Sequence, residues 1–170
     1  MKTVGLFDSI KNDVKIGNSR NNDKAGSYWQ RIDKIELLTS RKGSEYVKVS
    51  KTTLKVLDGE NKIGEETSEA FFRDEYNFLE KDLKSMAQVI YGMTTDEVNA
   101  LTGSDLKELL VDSTDPTGEV IEVSVTEILK KGGTDTFARV KWLHRVTPKA
   151  LDAGLSDEVK AQYFPAGVMA

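Results

Sequence analysis

The most constraining stretch of the chain runs from Tyr28 to Gly59, YWQRIDKIELLTSRKGSEYVKVSKTTLKVLDG. Two long segments rich in β-branched and aromatic residues are joined by a basic, glycine-containing turn over Thr39 to Ser44. The first carries Tyr28, Trp29, Ile32, Ile35, Leu37 and Leu38; the second carries Tyr46, Val47, Val49, Thr53, Leu54 and Val56. Residues of these types suit a pleated, half-buried surface, so the unit reads as strand, turn, strand. The cations Arg31, Lys34, Arg41, Lys42, Lys48, Lys51 and Lys55 are interleaved with them. An antiparallel sheet with one wet face can present both kinds of residue together.

The rest of the chain supplies partners for this hairpin. Asp58-Gly59 makes a turn, and Lys62 to Phe72 reads as a third, irregular strand. From Phe71 to Tyr91 the spacing is helical: Phe72, Tyr76, Leu79, Leu83, Met86 and Ile90 form one apolar stripe, with Gly92 placed to end the helix. Phe71 and Phe72 fit either the strand end or the helix start. Thr94 with Glu97 forms a capping-box pattern, opening a short helix that Gly103 interrupts. A second hairpin follows, Glu119 to Leu129 and Thr136 to Thr147, turned by Lys130-Lys131-Gly132-Gly133 and ended by Pro148. The sequence divides into an N-terminal arm (1–27, flexible or ordered by a partner), a β domain (28–148, with a helical insertion at about 73–112) and a C-terminal tail (149–170) holding a short candidate helix from Ser156 to Tyr163.

With 170 residues the chain can bury a real core, and its lack of cysteine excludes disulfides, thiolate nucleophiles and cysteine-based metal sites. No apolar run approaches about 18 residues and no signal-peptide core is present, which implies a soluble, cytoplasmic protein without membrane contact. The net charge of −4 hides an uneven distribution. Residues 1–58 hold 12 Lys/Arg against 7 Asp/Glu, residues 59–115 hold 5 against 14, and residues 116–170 hold 7 of each. Local fields rather than net charge steer a polyanion, so a basic face on an acidic chain remains open to nucleic acid.

Catalysis finds no support in the motifs, and the chain reads as a non-enzyme. There is no phosphate-binding glycine loop, no nucleophile elbow and no HExxH pair. The single histidine, His144, lies inside a strand. The acids of DGENKIGEE lack the ligand spacing of a calcium loop, so neither a metal nor a cofactor is expected. Binding of single-stranded nucleic acid asks for less: cations tracking a backbone and exposed aromatics on which bases stack. Candidate cations are Arg31, Lys34, Arg41, Lys42, Lys48, Lys51, Lys55, Lys130, Lys131, Arg139 and Lys141; candidate stacking residues are Tyr28, Trp29, Tyr46, Phe137 and Trp142. Trp29 and Trp142 fit core and platform equally well.

Five strands with a helical segment between the third and fourth give a mainly β fold with an α insertion, an OB-fold-like barrel. Its binding loops would be those carrying Arg41-Lys42 and Lys130-Lys131. The run Tyr28…Ile32…Ile35, then SRKGSEYVKVSKTTLKVLDGE, a helix ending at Gly92, a short Thr94–Gly103 helix and GEVIEVSVTEILKKGGTDTFARVKWLHRVTP resembles the bacteriophage single-stranded DNA-binding proteins of OB-fold type, over about residues 28–148. The resemblance implies a viral protein that coats transient single strands in phage DNA replication or recombination, in the host cytoplasm. Its implied partners are single-stranded DNA, further copies of itself, and replication or recombination proteins. Two features depart from that pattern: the near-neutral end YFPAGVMA replaces an acidic tail, and the acidic helical insertion is large. The alternative is a phage structural or assembly protein that uses a β-barrel as an interaction module.

Overall fold

The computed structural model describes residues 23–72, 78–129, 133 and 136–165. Its frame is one antiparallel sheet of five strands, in the order β3-β2-β1-β4-β5. The Tyr28–Gly59 stretch forms β1 (Gly26–Thr39) and β2 (Glu45–Gly59), and β3 (Glu66–Phe72) follows along β2. Three short helices come next: α1 (Phe78–Tyr91), α2 (Thr95–Asn99) and α3 (Gly103–Lys107), the last running into a π-helical turn over Glu108–Asp112. The second hairpin is β4 (Val120–Leu129) and β5 (Thr136–Arg145), with β4 laid against β1. Two further helices, α4 (Pro148–Gly154) and α5 (Asp157–Tyr163), end the described chain. None of these helices is long and apolar enough to cross a membrane, and among the described residues no group of metal-binding side chains forms.

Local chemistry explains the boundaries. Thr94 accepts a hydrogen bond from Glu97 N while the Glu97 carboxylate accepts one from Thr94 N, so the capping box closes as the sequence indicated. Thr102 and Asp105 close a second box that starts α3 beside Gly103. Pro148 ends the strand by opening a helix: it occupies the first turn of α4, where its missing N–H costs nothing, and Thr147 caps the same helix. Phe71 and Phe72 belong to β3; residues 73–77 of the expected stripe lie outside the described residues.

Apolar clusters pack on both faces of the sheet. Alternate residues along a strand point to opposite faces. On the inner face Ile32, Ile35, Val47, Val49, Ile121 and Val123 pack against Met86, Ala87 and Ile90 of α1, Val98 of α2 and Leu106 and Leu110 of the following turns. On the outer face Leu54, Val120 and Val146 pack against Leu151 and Leu155 at α4 and Val159 of α5. Each buried aliphatic side chain of this kind contributes about 1.5–3 kcal/mol of transfer free energy. The short helix expected from Ser156 to Tyr163 is α5, and residues 148–164 of the C-terminal segment build a second core. At the other terminus Asp23 is 4% exposed and β1 begins at Gly26, so residues 23–27 belong to the folded unit; the rest of the expected arm, 1–22, lies outside the described residues.

Three register irregularities in β1, at Ser27/Tyr28, Trp29/Gln30 and Ile32/Lys34, bend the strand. Among the described residues no backbone ladder closes the sheet into a barrel. Its two edges meet through side chains instead: Trp142 of β5 donates from Nε1 to Glu69 Oε2 of β3 at 2.9 Å. Glu69 in turn binds Lys51 Nζ at 2.7 Å, and Lys51 also binds Asp23 Oδ2 at 2.9 Å. Gln30 and Asn61 donate to Asp23 Oδ1, which completes a buried polar network between the segment ahead of β1 and strands β1, β2, β3 and β5.

Burial alone would discharge these groups, but their mutual pairing outweighs it. Burial opposes the Asp23 carboxylate, while Lys51 and the donors on Gln30 and Asn61 more than compensate, holding its pKa below the ordinary 3.8. Burial likewise opposes the Lys51 ammonium, and Glu69 and Asp23 overcome it, raising its pKa above 10.5. Asp23 therefore adds stability that is present above pH 3.8 and is lost as pH falls through its folded value. Lys51 adds stability that is present below pH 10.5 and is lost as pH rises through its folded value. Removing the ammonium strands two buried carboxylates, so Lys51→Met is expected to lower the unfolding free energy by about 3–5 kcal/mol at neutral pH. Urea unfolding checks this, and the gap between the wild type and the variant should narrow towards acid.

Two buried polar atoms, Gln30 Oε1 and Thr67 Oγ1, have no hydrogen-bond partner among the described residues. An unpaired buried hydroxyl costs free energy that an isosteric methyl does not. Thr67→Val is expected to leave stability unchanged or raise it by up to about 1 kcal/mol, read as the shift in the urea midpoint.

Candidate nucleic-acid interface

Register sorts the sequence-predicted binding residues into four groups. The first is interior. Tyr28 is fully buried, and its hydroxyl donates towards Lys24 O and Ala25 O (2.7 and 3.0 Å) while accepting from Glu60 N and Asn61 N (3.1 and 3.2 Å). It holds the incoming chain against the β2–β3 turn. Gly26 and Gly59 face each other there at positive φ (146° and 121°), and a Cβ on either would collide with the Tyr28 hydroxyl and the opposite backbone. Lys51 is equally buried, within the ion network. Trp142 faces inward, packed on the core and bonded to Glu69. These three are corrected from ligand candidates to structural residues, because their polar groups are consumed inside the protein.

The second group holds the C-terminal helices on the outer face. Lys55, Trp29, Glu122 and His144 stand in one row across β2, β1, β4 and β5. Trp29 Nε1 donates to Glu122 Oε1 at 2.9 Å, and the Lys55 ammonium sits 4.8 Å from the indole centroid. The last residue of α4 rests on that indole: a Cβ at Gly154 would lie 2.5 Å from a Trp29 ring carbon. Lys55 Nζ donates to Gly154 O at 2.9 Å. Arg31 pairs with Asp33 at 2.8 Å, donates to Tyr163 O at 3.3 Å and lies 5.3 Å from the Tyr163 ring centroid. Lys55 and Arg31 thus meet the C-terminal carbonyls of α4 and α5, where the helix dipole favours a cation. Trp29, Arg31 and Lys55 are not an open platform, since this helix pair covers them.

The third group is at the far end of the sheet. Phe137 is half-buried opposite Ile128, while Arg139 and Lys141 are exposed on β5 opposite Thr126 and Ser124. Lys130 and Lys131 lie outside the described residues.

The fourth group lies on the outer face near the β1–β2 turn, half-buried along its rows and exposed at Lys34, Arg41 and Lys42. On the outer face of β1, β2 and β3 successive rows read Leu38, Tyr46, Phe72; then Glu36, Lys48, Ala70; then Lys34, Ser50, Ser68. Tyr46 and Phe72 stack with ring centroids 4.6 Å apart and planes 13° from parallel. Lys34 pairs with Glu36 at 3.0 Å and remains 66% exposed, and Arg41 and Lys42 are exposed in the turn beyond the first row. The surface unites Lys34, Arg41, Lys42, Tyr46 and Lys48 from the sequence reading and adds Phe72, which sequence placed at either a strand end or a helix start. The β2–β3 register, Tyr46 to Phe72, decides its place.

Below these rows lies an open cleft of about 790 Å³ between the Arg31–Asp33 bend of β1, the β2–β3 turn and the end of α5. Its walls include Asp33, Glu66, Tyr163 and Phe164. Sequence reasoning did not find it, because it exists only once α5 is docked.

No protein-family model and no curated protein matches the chain.

The four groups predict separable phenotypes. Tyr28→Phe leaves two backbone N–H groups without their acceptor and is expected to cost about 1–3 kcal/mol of stability. The loss reads as a lower thermal midpoint, whereas substitutions at Arg41 or Lys42 should leave that midpoint in place.

Proposed function

We propose that the chain is a sequence-tolerant single-stranded DNA-binding protein, acting without catalysis, metal or cofactor in phage DNA replication or recombination. The observation that carries the reading is the juxtaposition of residue types on the outer face of β1–β3. There a stacked aromatic pair adjoins Lys48, Lys34 and the basic turn Arg41-Lys42. Single-strand binding combines these two elements: a π-face for bases and cations for the backbone.

The topology supports the same reading. The order β3-β2-β1-β4-β5, with helices between β3 and β4, is that of a five-stranded OB barrel opened between its third and fifth strands. The Trp142–Glu69 hydrogen bond spans that seam. In OB modules strands 2 and 3 and the first hairpin loop form the binding side. Here the same elements carry Tyr46, Lys48, Phe72, Arg41 and Lys42. The three rows with the cleft below them make a strip roughly 20 Å long at two residues per row. An extended strand covers that length with about four nucleotides, the lower end of the range for single OB modules.

Titration of oligo-dT by fluorescence anisotropy tests the reading. Affinity should fall as salt rises, with a logarithmic slope of about −2 to −3 for the four cations of the strip. Tyr46→Ala should weaken binding about five- to a hundredfold through lost stacking. Lys48→Glu should weaken it too and flatten the salt slope. Absence of binding to any single-stranded oligonucleotide at low salt would refute the proposal, and a large assembly indifferent to DNA would favour the structural-module alternative.

A further inference from the structure

The cleft at the lower end of the strip has a chemistry unlike the strip itself. The fourth row of the outer face, Arg31, Thr52 and Glu66, opens directly into it, so a strand lying along the three upper rows is led to its mouth. Asp33 is held in place there: its Oδ1 accepts from Arg31 Nε at 2.8 Å and its Oδ2 from Thr52 Oγ1 at 2.6 Å. Each carboxylate oxygen retains a lone pair after these bonds. Glu66 is exposed on the opposite wall. Tyr163 and Phe164 supply half-buried aromatic surface, and Tyr163 is fixed from two sides. The Arg31 guanidinium lies against its ring, and its hydroxyl sits where a Cβ on Gly64 would stand, 2.6 Å away.

Two carboxylates exclude a phosphate from this cleft, while aromatic and guanidinium planes accept a flat ring. The group that fits is neutral, planar and rich in hydrogen-bond donors. We propose that the cleft is a base pocket, taking one unstacked nucleobase that carries an exocyclic amine in preference to thymine. Carboxylates read the N4 amine of cytosine as acceptors, whereas thymine offers them only its ring N–H. The inference rests on the single-strand reading and adds to it a position at which sequence is sensed. The strip above remains tolerant, because stacking and phosphate contacts do not depend on the base.

Anisotropy titrations of equal-length oligo-dC and oligo-dT at neutral pH test it. The wild type is expected to bind oligo-dC tighter by about fivefold or more, the lower range for one good base contact. Asp33→Asn and Glu66→Gln should each bring that ratio towards one, while Lys48→Glu weakens both oligonucleotides alike and preserves it. Thermal melts accompany each variant. If Asp33→Asn does not fold, Glu66→Gln, altered at an exposed position, carries the test. Equal affinity of the wild type for the two oligonucleotides overturns the base pocket and leaves the strand-binding reading intact, as does a ratio that folded variants fail to move. Binding to neither overturns both.

Discussion

A single ammonium group organises the interior. Lys51 lies in the middle of β2, and its two carboxylate partners come from Asp23, just ahead of β1, and from Glu69 on β3. Glu69 carries the linkage on to Trp142 in β5, the opposite edge of the sheet. An apolar core of the same volume could supply comparable burial, but it would not specify which strands approach one another. A buried charge tolerates few alternatives, because every register that separates it from its partners leaves it desolvated and unpaired. The curvature that brings β3 towards β5 is thus tied to one residue whose charge must be matched.

The outer face shows the opposite use of cations. Lys55 and Arg31 stand where a solvated sheet would offer them to an anion, yet both are turned onto helix C-termini. Two of the cations on that face are thereby spent on holding α4 and α5. Lys34, Lys48, Arg41 and Lys42 lie towards the β1–β2 turn. The Tyr46–Phe72 stack stands at one end of the outer face, and α5 walls the cleft at the other.

Much of this was legible in the sequence. Residue types around glycine-containing turns gave both hairpins, and the capping box at Thr94 and the stop at Gly92 fell where local chemistry placed them. The failures share a physical cause. Alternation assigns a residue to a face but does not say what covers that face, so Lys51 looked like one more cation of a wet surface. Tyr28 and Trp142 posed the same difficulty, since an aromatic with a polar tip suits either a core or a platform. Of the C-terminal helices, the one from Ser156 to Tyr163 was read from sequence and α4 was not, although Leu151, Leu155, Val159 and Tyr163 recur every four residues across both. The cleft left no such signal, being made by the meeting of segments more than a hundred residues apart in sequence.

The central position of β1 has a kinetic consequence. Its ladder with β2 is local and can form early, but its ladder with β4 joins Gly26 to Val125, about a hundred residues apart in sequence. Closing so long a loop carries an entropic cost before any contact offsets it, and chains dominated by such pairings fold slowly. Until β4 arrives, one edge of β1 remains an unpaired row of amides and carbonyls beside exposed Ile32 and Ile35. That interval is when the nascent protein is most open to pairing with another chain.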